Sequence, residues 1–262
     1  MTRIAVVTHK EYEMPESPLY IPVMAGAASH TRITEAYMRD DKGDNISDRN
    51  STFSELTALY WLWKHHDEEY PDAEYLGLCH YRRLFAANKG RRLHLLSEAE
   101  ADSLMDKGSI VLPKKRDYLI ETNYSHYVNA HHAADLDLTR DIIAERHREY
   151  LDSYDKYMGM TGGHRFNMFI MPRQTMDEYC GWLFDILFEL EQRLDISDYK
   201  CRDRRVFGLV AERLMDVWID ANKRTYMEIP YIMTEKESML LKGAMLLSRK
   251  IRGMVNDRKG KG

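Results

Sequence analysis

Cysteine is scarce in this sequence, and its scarcity argues against two classes of small protein. The 262 residues include three cysteines, Cys79, Cys180 and Cys201, which lie far apart in the chain. A disulfide-stabilised secreted domain needs an even and closely spaced set, and a structural zinc site needs paired cysteine or histidine ligands. The spacing fits neither class. We therefore expect reduced thiols and a cytoplasmic protein.

Long apolar runs and an excess of one charge are also missing. No run of about 18 apolar residues occurs, so the sequence predicts no membrane-spanning helix. The N-terminal stretch MTRIAVVTHK becomes polar too early for a signal peptide. The formal net charge is −4, which argues against a nucleic-acid-binding protein whose affinity comes from counterion release. Hydrophobic residues make up 44% of the chain, enough for one sizeable core.

The common nucleotide and hydrolase motifs are absent, but a strand–helix–strand order is present. There is no G-x-x-x-x-G-K-[ST], G-x-G-x-x-G or G-x-S-x-G sequence. Continuous apolar residues predict a buried strand in RIAVVTH and another in YLGLC. Between them, residues 51–66 carry apolar side chains at helical spacing, with Asn50 or Ser51 as the expected N-cap. This order is typical of an α/β fold with a parallel sheet.

Further elements extend this pattern to about residue 220. Helices are predicted over 97–107, 175–194 and 203–220, and strands in SIVLP and FNMFIMP. We expect one domain over residues 1–235. For residues 236–262 the pattern predicts an amphipathic, basic, helical tail with two interpretations: it lies on an anionic membrane surface, or it docks on the domain and frays at its end.

Polar side chains follow three of the predicted strands. They are Thr8, His9 and Lys10 after the first, His80 to Arg83 after the second, and Pro172-Arg173 after a later one. Ligands of open α/β sheets bind at the carboxyl ends of strands. A histidine beside two arginines suits a diphosphate, because guanidinium groups bind phosphate oxygens bidentately. The alternative is that the arginines pair with surface acids.

The segment DDKGDNISDRN, residues 40–50, precedes the helix predicted over 51–66. Asp44, Asn45 and Ser47 supply a carboxylate, an amide and a hydroxyl that suit sugar or ribose hydroxyls. The alternative is an Asx turn with a helix cap. Gly26, after a possible short strand, permits a close backbone approach and joins the binding candidates.

A divalent metal such as Mn²⁺ or Mg²⁺ is not favoured, and no other cofactor is predicted. His126, His131 and His132 cluster, but no cysteine or close acid completes a ligand set. The acids at 135 and 137 lie in a helical context, and those at 40–44 follow no apolar strand.

Four blocks together resemble a known family. DDKGDNISDRNSTFSELTALYWLWKH, YLGLCHYRRLF, FNMFIMP with the helix that follows it, and RVFGLVAERLMDVW are similar to bacterial capsular and exopolysaccharide glycosyltransferases catalogued as a domain of unknown function. The resemblance implies a GT-A-like, Rossmann-like nucleotide-sugar fold flanked by helices. It also implies transfer of a sugar, galactofuranose from its UDP donor in some members, to a lipid-linked or oligosaccharide acceptor.

The resemblance assigns candidate roles. It places Thr8, His9, Lys10, Asp44, Asn45, Ser47 and Glu55 in the donor pocket. His80, Arg82 and Arg83 stand where many GT-A enzymes carry Asp-x-Asp, so the arginines replace a metal in neutralising the departing diphosphate.

Inverting transfer requires a carboxylate near the acceptor hydroxyl. Glu212 and Asp203 are the candidates, and because they are nine positions apart, one helix would point them to opposite faces. We prefer Glu212, which lies inside a matching block; the alternative is an ordinary solvated acid. His164 and Asn167 are acceptor-binding candidates by fold analogy.

Two non-enzymatic alternatives remain open. The chain is then either a carbohydrate- or nucleotide-binding module with the same fold, or a scaffold attached to the inner membrane face by its tail.

Overall fold

A central mixed sheet with helices on both faces organises the chain. The computed structural model describes residues 1–30, 33–90, 92–106 and 109–234. The strands are β1 (Thr2–Thr8), β2 (Tyr20–Met24), β3 (Met38–Arg39), β4 (Tyr75–His80), β5 (Arg83–Lys89), β6 (Arg92–Leu95), β7 (Ile110–Pro113), β8 (Arg116–Asp117), β9 (Gly162–Gly163), β10 (Phe169–Pro172), β11 (Tyr226–Ile229) and β12 (Tyr231–Met233). The helices are α1 (Asn50–Phe53), α2 (Leu56–Glu69), α3 (Glu98–Met105), α4 (Asn123–Val128), α5 (Ala133–Arg146), α6 (Leu151–Gly159), α7 (Arg173–Arg193) and α8 (Val206–Ala221).

The strand β1 is buried on both faces. Ala5 and Val7 join the larger apolar cluster, which includes residues of α2, α7 and α8, whereas Ile4 and Val6 join a smaller cluster with α3. Side chains alternate between the faces of a strand, so a strand covered by helices on both sides must be apolar at consecutive positions. This explains why the continuous apolar run in RIAVVTH forms a central strand.

The sheet is parallel only in part. Its strand order is β11-β7-β10-β4-β1-β2-β3, in which β1 pairs in parallel with β2 and β4, but β10 is antiparallel to both β4 and β7. Pro172, at the end of β10, therefore pairs with Tyr75 at the start of β4. The prediction that Pro172-Arg173 shares a sheet edge with His9 and His80 is wrong. Arg173 instead bonds Asp67 and the Ala73 carbonyl.

The helix predicted over residues 51–66 is interrupted. It forms α1 and α2, separated at Ser54, whose φ of 55° lies in a region that non-glycine residues rarely adopt. Asn50 is the first residue of α1 rather than an N-cap. Its amide donates across the break to the Ser54 carbonyl at 2.8 Å and to Thr57 Oγ1 at 3.2 Å. Apolar spacing continues through the break, so the pattern alone does not reveal it.

Gly77 gives a test of packing in the centre of the sheet. A Cβ atom there would lie 2.8 Å from the Phe169 carbonyl oxygen and 3.1 Å from side-chain atoms of Ile4 and Ile170. We expect Gly77→Ala to lower the free energy of unfolding by about 1–3 kcal/mol, because the contact atom is backbone in a paired strand. Gly159→Ala is the control, since no atom lies within 4 Å of its Cβ position. Equal melting temperatures for the two variants would contradict this packing.

Two further expectations concern membranes and thiols. Within the described residues, no helix is long and apolar enough to cross a membrane. All three cysteines are unpaired, with Cys79 and Cys180 buried and Cys201 exposed. Burial raises the pKa of the Cys79 thiol. The predicted tail, residues 236–262, lies outside the described residues.

Candidate functional site

A cavity of about 690 Å³ opens at the carboxyl ends of β1 and β4, and we call it the strand-end cavity. Its floor comes from these two strands and its walls from the α1–α2 junction, the turn after β4 and the start of α8. The lining residues are Val7, Thr8, His9, Ala25, Asn50, Ser51, Ser54, Glu55, His80, Tyr81, Arg82, Arg83, Phe166, Cys201, Arg204, Arg205, Leu209 and Glu212. Parallel pairing of Val7 with His80 explains why residues distant in sequence meet here.

The cavity brings together seven of the residues singled out from the sequence. They are Thr8, His9, Glu55, His80, Arg82, Arg83 and Glu212. The other candidates do not line it: Lys10, Gly26, Asp44, Asn45, Ser47, His164, Asn167 and Asp203. Lys10 is still close, because its ammonium lies 5.3 Å from the ring centroid of Tyr81.

The strand-end cavity is strongly basic. Arg82, Arg83, Arg204 and Arg205 all line it, against two carboxylates. The pKa of His9 is lowered, first by burial and then by the charges of Arg82, Lys10 and Arg205. Concentrated positive charge in a concave site attracts anions and discourages further protonation. A multiply charged anionic group is therefore the ligand that this cavity suits.

Arg204 and Arg205 were not among the site residues predicted from the sequence. They belong to a 3₁₀ turn, Asp203–Arg205, that leads directly into α8. Arg205 Nε donates to Ser54 Oγ at 2.9 Å, so the turn is joined to the break between α1 and α2. The basic run CRDRR was the available signal, but its position beside β4 depends on how α8 packs.

Glu55 is held in place within the cavity wall. Asn167 Nδ2 donates to Glu55 Oε1 at 2.7 Å and to the Gly208 carbonyl at 3.2 Å. Arg205 Nη2 lies 3.9 Å from the other carboxylate oxygen. Asn167 has a φ of 49° and is buried, so it orients Glu55 rather than facing the cavity. Asn167 therefore does not line the cavity, where the predicted contact with the acceptor would be made.

The two predicted catalytic carboxylates lie in different surroundings. The Glu212 side chain is 23% exposed on the cavity wall, with Arg213 Nη1 3.4 Å from its Oε2. Asp203 lies before α8, and its carboxylate is 3.0 Å from His131 Nδ1 and 3.8 Å from His132 Nε2. Only Glu212 is therefore available to a molecule in the strand-end cavity.

The polar side chains of segment 40–50 make hydrogen bonds within the protein. Asp40, which is fully buried, accepts from the backbone N–H groups of Gly26 and Ala27 and from Ser47 Oγ. Asp44 accepts from Tyr60 Oη at 3.0 Å. This turn explains why the predicted site residues do not line the cavity: Asp40 and Ser47 accept from backbone N–H groups and Asp44 accepts from Tyr60, so these side chains bond within the protein.

Two more candidates are also engaged elsewhere. Asn45 donates to the Gly43 carbonyl within its own loop. His164 is 2% exposed on its side chain, with Nδ1 2.6 Å from Asp216 Oδ1 and Nε2 3.3 Å from Glu228 Oε1. Gly26 does make a close approach, since a Cβ there would lie 2.7 Å from the Asn50 side chain. Gly26 therefore lies close to Asn50, a residue that lines the cavity, and not in the lining itself.

The donor set of the cavity does not fit a divalent metal. Among the described residues that line it, Glu55 and Glu212 are the carboxylates, and Glu55 already accepts from Asn167. Across the described ranges, no group of three histidine, cysteine or acidic residues is arranged to hold a metal ion. His126 and His131 bond Glu121 and Asp203, respectively.

Comparison with known proteins places this sequence in a family. The sequence profile of a domain of unknown function, DUF4422, matches residues 3–223. The chain belongs to the DUF4422 family. No curated protein matches it in sequence.

One solved structure is similar to this DUF4422 member. The apo structure of the bifunctional glycosyltransferase WbbM superposes with a TM-score of 0.81 at 28% sequence identity, over 90% of this chain and 46% of that one. The chain therefore spans about half of the solved protein. The match confirms the predicted GT-A-like α/β fold, with a central sheet flanked by helices.

Proposed function

We propose that this DUF4422 member is a glycosyltransferase that uses a nucleotide-sugar donor. The observation that carries the proposal is the strand-end cavity, where four arginines surround the carboxyl ends of β1 and β4 and one carboxylate, Glu212, is available. A nucleoside diphosphate sugar needs such positive charge for its diphosphate and a nearby base for the attacking hydroxyl. The WbbM likeness supports the same reaction class.

The donor and acceptor follow from the family resemblance. We propose a UDP-linked donor, with UDP-galactofuranose as one candidate. The acceptor is a lipid-linked or oligosaccharide chain of capsule, exopolysaccharide or O-antigen synthesis. The basic segment 236–262 attaches the protein to the inner face of the membrane in this proposal.

Each group in the cavity has a distinct part in the proposed reaction. Arg82 and Arg205 bind the diphosphate oxygens and stabilise the charge that develops as the nucleotide leaves. Glu212 accepts the proton of the acceptor hydroxyl while that oxygen attacks the anomeric carbon from the opposite side, which inverts the configuration. Glu55, held by Asn167, accepts hydrogen bonds from donor hydroxyls. The proposed reaction uses no metal ion.

A ligand screen followed by a turnover assay tests the proposal. Thermal shift against UDP, GDP, CMP and their sugars should raise the melting temperature for one nucleotide class, because a ligand that binds only the folded state stabilises it. The matching sugar donor should then release nucleotide, with and without EDTA. Saturable binding without release would indicate a non-catalytic binding module. Turnover lost with EDTA and restored by Mn²⁺ or Mg²⁺ would contradict the metal-free reaction.

A further inference from the structure

The most exposed large apolar side chains of the described surface lie together between β8 and α4. Leu119 is 80% exposed and Ile120 is 63% exposed, and Met160, at 43%, lies on the segment whose backbone accepts from Tyr118 and Asn123 on either side of them. The Met160 carbonyl accepts from the Asn123 N–H at 2.7 Å, which holds the end of α6 against the start of α4. We call Leu119, Ile120 and Met160 the Leu119 patch. Clustered exposure of this kind marks an interaction surface more often than chance exposure does.

The turn that carries the Leu119 patch is held in shape. Leu119 has a φ of 59°, and its N–H donates to Asp117 Oδ1 at 2.8 Å. The Ile120 N–H donates to the Tyr118 carbonyl, and the Tyr118 N–H to the Thr161 carbonyl. A branched residue rarely adopts a positive φ, so these hydrogen bonds maintain a conformation that leaves two aliphatic side chains in water.

Basic groups lie on the Met160 side of the patch. Met160 also lines a neighbouring cavity of about 380 Å³, whose cationic residues are Lys115, Lys156, Lys223 and Arg224. Three of these cations have carboxylate partners, Lys156 at Asp220, Arg224 at Glu178 and Lys115 at Glu228, and Asp216 is bonded to His164. Lys114, two residues before β8, and Lys223 are exposed. Exposed aliphatic side chains beside lysines complement an anionic lipid surface.

The patch lies at the same end of the sheet as the strand-end cavity. Arg116, in β8, places its guanidinium carbon 5.5 Å from the ring centroid of Phe166, and Phe166 lines that cavity. Only two residues separate Arg116 from Leu119. A lipid surface that covers Leu119 therefore lies close to the cavity mouth.

We propose that the Leu119 patch is a docking surface for an anionic membrane, separate from the segment 236–262. Leu119 and Ile120 enter the interfacial layer of the bilayer, and the neighbouring lysines face the lipid phosphates. This inference goes beyond the proposed sugar transfer, because docking requires no donor, acceptor or catalysis.

Vesicle co-sedimentation of the full chain tests the docking surface. We expect binding to vesicles that contain phosphatidylglycerol, weaker binding to phosphatidylcholine alone, and weakening as salt is raised. The variant Leu119→Ser with Ile120→Ser should lower the partition coefficient by at least about tenfold, because two large aliphatic side chains no longer leave water. The matched control changes Leu93 and Leu95 to Ser; these are exposed on β6 and should bind as wild type does.

Each outcome of the vesicle experiment either supports or overturns the docking surface. If the Leu119 and Ile120 variant binds as tightly as wild type, any membrane binding belongs to another segment and the proposal is overturned. Absence of wild-type binding to anionic vesicles also overturns it. The two positions are exposed, so both variants should melt as wild type does; if the double variant unfolds, Ile120→Ser alone serves. Nucleotide release without vesicles should be equal in all forms, which distinguishes lost docking from failure of the proposed reaction.

Discussion

Replacing Glu212 with Gln should reduce turnover by roughly 10²- to 10⁴-fold, the range expected for loss of a general base. The amide keeps the size of the side chain and its place beside Arg213, so binding of the nucleotide should be unchanged. Of the two carboxylates among the described residues that line the strand-end cavity, Glu55 is held by a 2.7 Å hydrogen bond from Asn167, whereas the nearest partner of Glu212 is Arg213 at 3.4 Å. Initial rates at saturating donor, together with the dissociation constant for the nucleotide, measure the two effects separately.

Asp203→Asn is the matched control for this experiment. Asp203 is an acid of the same region, but its carboxylate faces His131 and His132 instead of the cavity. We expect near wild-type turnover at temperatures at which both variants are folded. Wild-type turnover in the Glu212 variant would remove Glu212 from the reaction. A large loss in the Asp203 variant alone would assign the base to Asp203.

Replacing Arg82 or Arg205 with Ala should weaken nucleoside diphosphate binding by about 10- to 100-fold each, because hydrogen bonds to charged groups contribute about 1.5–3 kcal/mol. Both line the cavity, and the Arg205 side chain is 59% exposed, so its removal disturbs little packing beyond the loss of its hydrogen bond to Ser54. Titration calorimetry with the nucleotide found by the screen measures the change. Arg205→Lys should fall between wild type and Ala, because it keeps the charge but loses the planar fork.

Arg140→Ala is the control for the arginine variants. The Arg140 side chain is 44% exposed, against 59% for Arg205, and pairs with Asp155 away from the strand-end cavity. Its loss should leave nucleotide affinity unchanged at constant salt. If Arg140→Ala weakens binding as much as Arg205→Ala does, the effect is general electrostatics and not a diphosphate site.

The sequence predicted those helices and strands whose signals lie within a few residues of one another. A helix was predicted to begin at residue 97, and Ser97 caps α3 through a full capping box with Glu100. The buried strand ending at His80 forms β4, between β1 and β10. The family blocks predicted the GT-A-like fold, which the match to WbbM confirms. These features depend on residues within a few positions of one another, or on blocks long enough to identify a family.

Other features depended on partners that are remote in the chain. The buried carboxylate of Asp40 joins Gly26 and Ala27 to Ser47, so the segment DDKGDNISDRN completes a turn instead of lining the cavity. Ser54 adopts its positive φ where Asn50 donates across the break and Arg205 donates to its side chain. Neither arrangement has a period or spacing that a sequence pattern can reveal.

Apolar periodicity, capping residues and the family blocks were sufficient to predict an α/β sheet, its main helices and a basic strand end at Arg82 and Arg83. Tertiary structure alone decided the direction of β10, which moved Arg173 to the opposite edge, and the arrival of Arg204 and Arg205 beside β4. The physical reason is the distance along the chain over which each effect acts. Local hydrogen bonding and side-chain periodicity act over a few residues, whereas a cavity forms where elements distant in the sequence pack together.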